Sequence, residues 1–463
     1  MNTLLPCLFR RATVAAASAA CFSLAHAAPP TQVVVVGSMA NPPAGAMRVA
    51  TLQAVPWASL LPGAQVLIGP GRHATPFMVN ARGTAEQPIH IKAADAAQPP
   101  TLAVAVDFQG AAHVKLSGVI VDGAQWGAVV IRRGSHHITV RGNTLRKAYM
   151  GVDISDGAGT GHRIVRNTIE DHQTHGIAIV EINADPADKT VVADNIVRRN
   201  GHHGLEIHGS NYVIEGNTVS DSGLTLGGTS GIHLYSRELD GYCDDNVVRH
   251  NLSFNNHDRW MYDGNGIQVD HWCDRNEVSH NVVWGNDGAG IIVFDGADNR
   301  IIGNTTYNNG LDPKRATWQL GEIIVSSQGA HVNRSARNQV LDNLMVPLRA
   351  EVRGVLVDYW SEAQPNTLGP NHYAPRPPGS VLLQRGGRLA DTAAEVDAIT
   401  ATSGNLVEAP TFEDVAQPLA HGLQLVRTPT LPGQTLTGQR DMLGRSAARQ
   451  GSYFGAYFTA QGL

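Results

Sequence analysis

One short pattern returns six times in the middle of the chain and restricts its possible folds more than any other feature. A Gly, an apolar residue, any residue and a second apolar residue recur as Gly151-Val-Asp-Ile154, Gly176-Ile-Ala-Ile179, Gly204-Leu-Glu-Ile207, Gly231-Ile-His-Leu234, Gly266-Ile-Gln-Val269 and Gly290-Ile-Ile-Val293, at steps of 25, 28, 27, 35 and 24 residues. Each unit is too short for a helix and alternates with the period of two of a half-buried strand. One such unit buries a single apolar side and is unstable alone, so successive units must stack. Between them runs a second unit that opens on Asn: Asn143, Asn167, Asn195, Asn217, Asn246, Asn281, Asn304 and Asn338. Of the 28 Asn, 22 lie between Asn143 and Asn343, and a fixed place in every repeat is explained if Asn takes the left-handed conformation of a turn and hydrogen-bonds the turns above and below. A parallel β-helix meets these requirements. Leucine-rich and helical repeats do not, because neither a Leu ladder nor a 3.6-residue period accompanies the spacing.

The strand pattern continues outward through Val66-Leu-Ile68, Ile89-His-Ile91, Val114-Lys-Leu116, Val119-Ile-Val121 and Val129-Val-Ile131, and beyond the repeats through Val355-Leu-Val357 and Val381-Leu-Leu383. Residues 366–379, framed by Pro365, Pro370, Pro375, Pro377 and Pro378, read as a loop. At the start, Arg10 and Arg11 precede an Ala-rich apolar run ending in Ala25-His26-Ala27, the pattern of a cleaved export signal. The expected organisation is a signal peptide over 1–27, N-terminal coils and a cap over 28–115, central repeats carrying the site over 116–360, and a C-terminal loop with closing coils over 361–463. Export places the protein in the periplasm or outside the cell. Cys7 and Cys21 leave with the signal, and in an oxidising compartment the remaining Cys243 and Cys273 read as one disulfide, two buried free thiols being the alternative.

Composition excludes several functions. With 35 Lys plus Arg against 40 Asp plus Glu, the net charge of −5 does not suit a nucleic-acid binder. No later stretch approaches the roughly 20 apolar residues of a membrane span. Phosphate-loop, zinc-helix and nucleophile-elbow motifs are missing, so no cofactor is required by the sequence. A soluble monomer acting on a polysaccharide, in particular an anionic one, is the expectation.

Trp57-Ala-Ser-Leu-Leu-Pro-Gly-Ala-Gln-Val-Leu-Ile68, followed by Gly83-Thr-Ala-Glu-Gln-Pro-Ile-His-Ile91, resembles the opening coils of secreted right-handed β-helix proteins related to pectate lyases and chondroitinase B. Asp263-Gly-Asn-Gly-Ile-Gln-Val-Asp270 looks like a coil block common in that superfamily, and Leu443-Gly-Arg-Ser446 through Gly455-Ala-Tyr457 is similar to its closing strand. The resemblance implies an all-β, right-handed parallel β-helix solenoid acting on polysaccharides as a lyase, epimerase or hydrolase, with non-enzymatic surface proteins as a further class. Many such lyases use a Lys or Arg base and Ca²⁺. Here no Lys occurs between Lys189 and Lys314, which argues against a Lys base and leaves Ca²⁺ open.

In a stacked sheet the outward side chains form columns spaced by roughly 4.8 Å, close to the length of a sugar ring. The outward places of the Gly units are Asp153 and Ser155, Ala178 and Val180, Glu206 and His208, His233 and Tyr235, Gln268 and Asp270, Ile292 and Phe294. Three consecutive coils are therefore polar and ionisable. Arg237 and His271 adjoin them, and the 35-residue step inserts Trp260 and Tyr262 as possible sugar platforms. This set suits β-elimination from a uronic acid, in which a base removes the C5 proton, cations offset the carboxylate and an acid protonates the leaving oxygen. Arg237 is expected to bind the carboxylate bidentately, with His233 or His208 as base and Tyr235 as acid, or the reverse, and with Asp270 beside them. Glu206, Gln268, His271, Asp153, Trp260 and Tyr262 are expected to bind substrate. His202 and His203 read as turn residues, His172-x-x-His175 is a weak zinc signal, and Lys147 stands at the rim.

Overall fold

The computed structural model describes residues 31–463 except 239, 315–318, 332–333, 375–379, 421, 425–439, 446–453 and 459–463. The expected export signal lies outside the described residues. Along the chain, strands visit three sheets in rotation, so that each coil adds one strand to a first sheet of 14 strands and to a second and a third of 13 each. The Gly units form the third sheet, where Met150–Ile154, Ile177–Val180, Leu205–His208, Ser230–Leu234, Asn265–Val269 and Ile291–Phe294 pair in parallel. Their inward residues, among them Ile207, Leu234 and Val269, are fully buried in one continuous apolar core. At the C-terminal end the sheet closes on an antiparallel pair, Leu383–Arg385 with Arg388–Ala390. The helix Ala393–Thr400 follows, capped reciprocally by Thr392 and Glu395, an element the strand pattern did not announce.

The asparagines stack, with two corrections to the expectation. The first is conformational: the left-handed residue is the one before each Asn, namely Gly142, Arg166, Asp194, Gly216, His250 and His280, with φ between 53° and 66°. The bend at that residue frees the following Asn side chain to turn inward. The second concerns membership, because the series divides between corners. Asn143, Asn167, Asn195, Asn217, Asn251, Asn281, Asn304, Asn343 and Asn371 form one column, in which each Oδ1 after the first accepts the backbone N–H of the Asn one coil earlier and that of Asn143 accepts the Val119 N–H. Asn246 and Asn338 belong to another column, with Asn276, Asn299 and Asn366. Every amide thereby satisfies backbone groups of a tight buried corner that water cannot reach.

A third column runs through Asn200, Ser222, Asn256, Asn286 and Asn309, and His172 occupies its N-terminal place. Its Nδ1 accepts from the Ala148 N–H at 3.2 Å while Nε2 donates to the Leu145 carbonyl at 3.1 Å, so the imidazole reproduces both bonds of an amide. The zinc spacing of His172 and His175 is thus coincidental, as His172 is part of the frame. Residues 366–374, expected as a loop, instead add the strands Thr367–Leu368 and His372–Tyr373 to the stack, because Asn366 and Asn371 extend two columns. Of the expected closing strand, residues 446–453 lie outside the described residues, while Asp441–Gly444 turn and Phe454–Phe458 pack without a strand.

Two outcomes follow from the columns. Asn251→Ala leaves the Asn217 N–H, the Asn217 amide and the Ile214 carbonyl without their partner. The expected loss, measured by chemical denaturation, is on the order of 3–5 kcal/mol. Burial holds His172 down to about 4, against the weaker upward pull of its bonds to Leu145 and Ala148. A His whose folded value is depressed stabilises fully above its unfolded value, near ~6.5, and loses that contribution as pH falls, by up to roughly 1.4 kcal/mol per unit. His172→Asn should therefore fold at pH 7 and flatten the decline of melting temperature between pH 6.5 and pH 4.

Candidate functional site

Outward on the third sheet, Asp153, Ala178, Glu206, His233, Gln268 and Ile292 stand in register on successive coils. His208, Tyr235 and Asp270 follow two residues later, and the residues preceding the Gly units contribute His175, His203, Ser230 and Asn265. The face is not open. Loops at both strand ends cover it, so that His233 and Gln268 are only 7% and 3% exposed although they point away from the core.

Contacts tie this face into one cluster. His233 Nε2 lies 3.1 Å from Asp270 Oδ2, and His271 Nε2 lies 3.7 Å from the other oxygen of Asp270. His271 Nδ1 and His331 Nδ1 both reach Asp295 Oδ2, at 3.0 and 2.9 Å. The Tyr235 ring stacks on His233 at 5.6 Å and meets His208 edge-on at 5.5 Å, while His208 also packs against Tyr242 and lies 3.7 Å from Asp240. On the other side His203 stacks on both His233, at 4.2 Å, and His175, at 5.5 Å. Glu206 Oε2 sits 3.2 Å from His175 Nε2, which is 3.4 Å from His202 Nδ1. Gln268 is held by Ser230 and Asn265.

The same burial pushes the groups of this face in different directions. For His233 and His271 desolvation works downward, but the hydrogen-bonded carboxylates of Asp270 and Asp295 outweigh it and raise both. Desolvation raises Glu206 against the opposing charges of His233 and Arg237. Burial lowers His208, against the upward pull of the Glu181 and Asp240 carboxylates and with the charges of Arg237 and His233.

Most of the residues expected from the sequence meet here: Glu206, His208, His233, Tyr235, Gln268, Asp270 and His271. Arg237 stands at the rim rather than inside, 61% exposed, bonded to Glu181 at 2.8 Å and touching Tyr235. Asp153 shares the column but lies beyond the apolar Ala178, and its carboxylate accepts from Trp126 Nε1 at 3.0 Å. It therefore holds a platform instead of joining the cluster: Trp126, exposed, stacks on Tyr149 at 4.9 Å. Trp260 lies flat on Gly227, where a Cβ would come within 2.2 Å of its Cγ, and leaves its outer face to solvent, as does Tyr262. The disulfide forms between Cys243 and Cys273, with Cα atoms 4.9 Å apart, and joins the loops that follow two consecutive polar coils.

The residues missed were His175, His202, His203, Asp295, His331 and the Trp126–Tyr149 pair. His202 and His203 do precede a strand, but the turn aims them across the face instead of into solvent. A signal existed, since His175 and His203 hold the same place before consecutive Gly units. A separate cavity lies where Arg440 crosses the corner between the first and second sheets, and there Arg249 is already paired with Glu215.

Among the described residues four clusters bring three ligand atoms each within 4.8 Å: His113, His136 and His137; His175, His202 and Glu206; His203, Glu206 and His233; His271, Asp295 and His331. Calcium takes roughly six to eight oxygen ligands. None of these clusters offers more than one carboxylate, so their nitrogen-rich donor sets do not fit the calcium that the resemblance brings with it.

The family model of the right handed beta helix region matches residues 104–282 and 228–306. Among solved structures, the A-module of the Azotobacter vinelandii mannuronan C-5 epimerase AlgE6 is 13% identical, with a TM-score of 0.53 over 75% of this chain and 91% of that one. The AlgE4 A-module of the same organism is 13% identical, with a TM-score of 0.49 over 64% and 83%. A PL6 family alginate lyase, AlyGC, is 12% identical, with a TM-score of 0.46 over 86% and 56%. No curated protein matches the sequence. At 13% identity the likeness to the AlgE6 A-module is one of fold. Three parallel sheets in rotation, the matched family model over 104–306 and the fold likeness to the AlgE6 A-module together make this chain a right-handed parallel β-helix protein.

Proposed function

We propose that the covered face of the third sheet is the active site of a polysaccharide lyase that cleaves a uronate-containing glycan by β-elimination. The observation that carries this reading is the convergence on Tyr235: His233, His208 and His271 surround its ring, and Arg237 reaches it from the rim. Tyr235 is half-buried, whereas His208 and His233 lie beneath it, so the phenol is the group a sugar meets first.

Each part then has a task. Arg237 exchanges Glu181 for the substrate carboxylate and binds it through its planar fork. Tyr235 takes the C5 proton while its own passes to His208. The C5–H electron pair becomes the C4–C5 double bond, the C4–O4 bond breaks, and O4 takes a proton back through the same phenol. Asp270, hydrogen-bonded to His233 and 3.7 Å from the His271 ring, supports positive charge on the imidazoles nearest the carboxylate as its negative charge grows. Trp126, Tyr149 and the exposed face of Trp260 supply stacking platforms for neighbouring sugars along the sheet edge. Solved structures of the same fold include enzymes named for alginate and mannuronan, which is in keeping with an anionic substrate. Hydrolysis needs two carboxylates free for acid and base work. Glu206 faces His175, and Asp270 is engaged with two imidazoles, which favours elimination.

Incubation with alginate, polygalacturonate, glycosaminoglycans and bacterial exopolysaccharides should raise the ultraviolet absorbance of an unsaturated product on one of them. Reducing ends without that absorbance would replace elimination by hydrolysis, and altered uronate composition without shortening would indicate epimerisation. Retention of glycan with no product at all would make the protein a binding module. On the substrate found, Tyr235→Phe should lower kcat by about 10² to 10⁴ with an unchanged melting temperature. Arg237→Lys, which keeps the charge and loses the fork, should lower kcat/KM by about a hundredfold. Near-full activity in both variants would remove Tyr235 and Arg237 from the chemistry.

A further inference from the structure

We propose that His175, His202 and Glu206 form a binding site for a divalent transition metal of the zinc class, with a fourth position facing the cleft. This goes beyond the lyase reading and does not depend on it, because a resident ion is detected without substrate.

Two of the three donor separations are those of a tetrahedral edge, and the third lies within 4.8 Å. A zinc ion with bonds of roughly 2.0–2.1 Å to nitrogen or oxygen holds its ligands ~3.3 Å apart. His175 Nε2 stands 3.2 Å from Glu206 Oε2 and 3.4 Å from His202 Nδ1. The protons point the same way. His202 Nε2 lies 3.2 Å from the Gly227 carbonyl, which can only accept, so Nε2 carries the hydrogen and Nδ1 presents a bare lone pair. That lone pair and the Glu206 carboxylate both converge on His175 Nε2, which has at most one proton to offer them. A cation satisfies all three acceptors at once. The carbonyl behind His202 is also the kind of outer partner that fixes the tautomer and ring orientation of a metal-ligating His.

The surroundings hold the three groups in place. His203 stacks on His175 with an interplanar angle of 9°, and it accepts the Ser230 N–H through Nδ1 at 3.0 Å, so it serves as support instead of ligand. Gly227 is clamped between His202 and the Trp260 ring. Side-chain exposures of 15% for His175 and 23% for Glu206 leave an approach from the cleft.

Two of the remaining clusters are satisfied without an ion. Asp295 Oδ2 receives both His271 and His331, and at the start of the first-sheet strand His136–Arg141 the rings of His136 and His137 meet nitrogen to nitrogen at 2.8 Å while His137 pairs with Asp188. In the third, His203 with Glu206 and His233, the Ser230 N–H takes the lone pair of His203 Nδ1 and leaves the ring hydrogen on Nε2, so His203 presents no bare nitrogen to an ion. Two imidazoles, one carboxylate and an open place form the ligand set of a catalytic zinc site rather than a structural one.

The test uses the full chain, stripped with a chelator and titrated with Zn²⁺ by calorimetry and with Co²⁺ in the visible. The expected result is one Zn²⁺ per chain, an intense tetrahedral Co²⁺ band, no saturable heat with Ca²⁺, and binding weakened by about a hundredfold or more in both Glu206→Gln and His202→Gln, each checked for folding by circular dichroism in chelator. Absence of saturable Zn²⁺ binding, or binding undiminished in both variants, would overturn the site. If either variant does not fold, the wild-type Co²⁺ spectrum still decides, since a weak octahedral band would rule out the proposed ligand set. Lyase assays play no part in these measurements, so failure of the lyase reading and failure of the metal site are separate results.

Discussion

Every other feature of the molecule depends on the buried amide column. A parallel β-helix turns three tight corners per coil, and each corner strands backbone N–H and C=O groups that neither a sheet nor water can satisfy. The Asn side chains carry donor and acceptor together at the required reach, so one coil's corner closes the next. Because the amide repeats at a fixed corner, the register of all three sheets is fixed with it. A slip of one residue would turn each outward column inward and place Glu206, His233 and Gln268 in the apolar core.

A rigid register is what allows chemistry on this fold. Strand spacing delivers side chains of consecutive coils at nearly constant separation, so His203 and His233, or Tyr235 and Asp270, are neighbours in space although they are some thirty residues apart in sequence. Loops lengthened at the polar coils then cover the face without disturbing the stack, and the Cys243–Cys273 bond joins two of them at the coils that need cover most. Covering changes the chemistry, because a hydrogen bond or a carboxylate partner counts for more once water is excluded. Asp270 and Asp295 raise the imidazoles beside them, whereas burial, joined by the charges of His202 and His233, lowers His175 on the same face.

The frame and the site also exchange residue types. His172 performs the work of an Asn within a column, while His175, three residues on, leaves the frame and joins Glu206. Asp153 occupies a site column and yet serves to hold Trp126. Residue identity at a repeat position therefore does not assign a role; the partner across the coil does.

What the sequence by itself determined is the architecture and most of the outward ladder. Periods of two within strands and of about one coil between them are properties of the chain, and they suffice to place Glu206, His208, His233, Tyr235, Gln268 and Asp270 on one face. The pairing of the two cysteines was equally legible, as was the absence of a Lys near the site. Tertiary structure decided the rest, because it depends on where loops between strands fold. Nothing local distinguishes His202 and His203, aimed across the face, from turn residues in solvent, and nothing local shows that Arg237 stops at the rim on Glu181. The left-handed residue before each Asn, and the membership of Asn246 in a different column from Asn217, likewise follow from which corner a turn occupies, which only the closed coil settles.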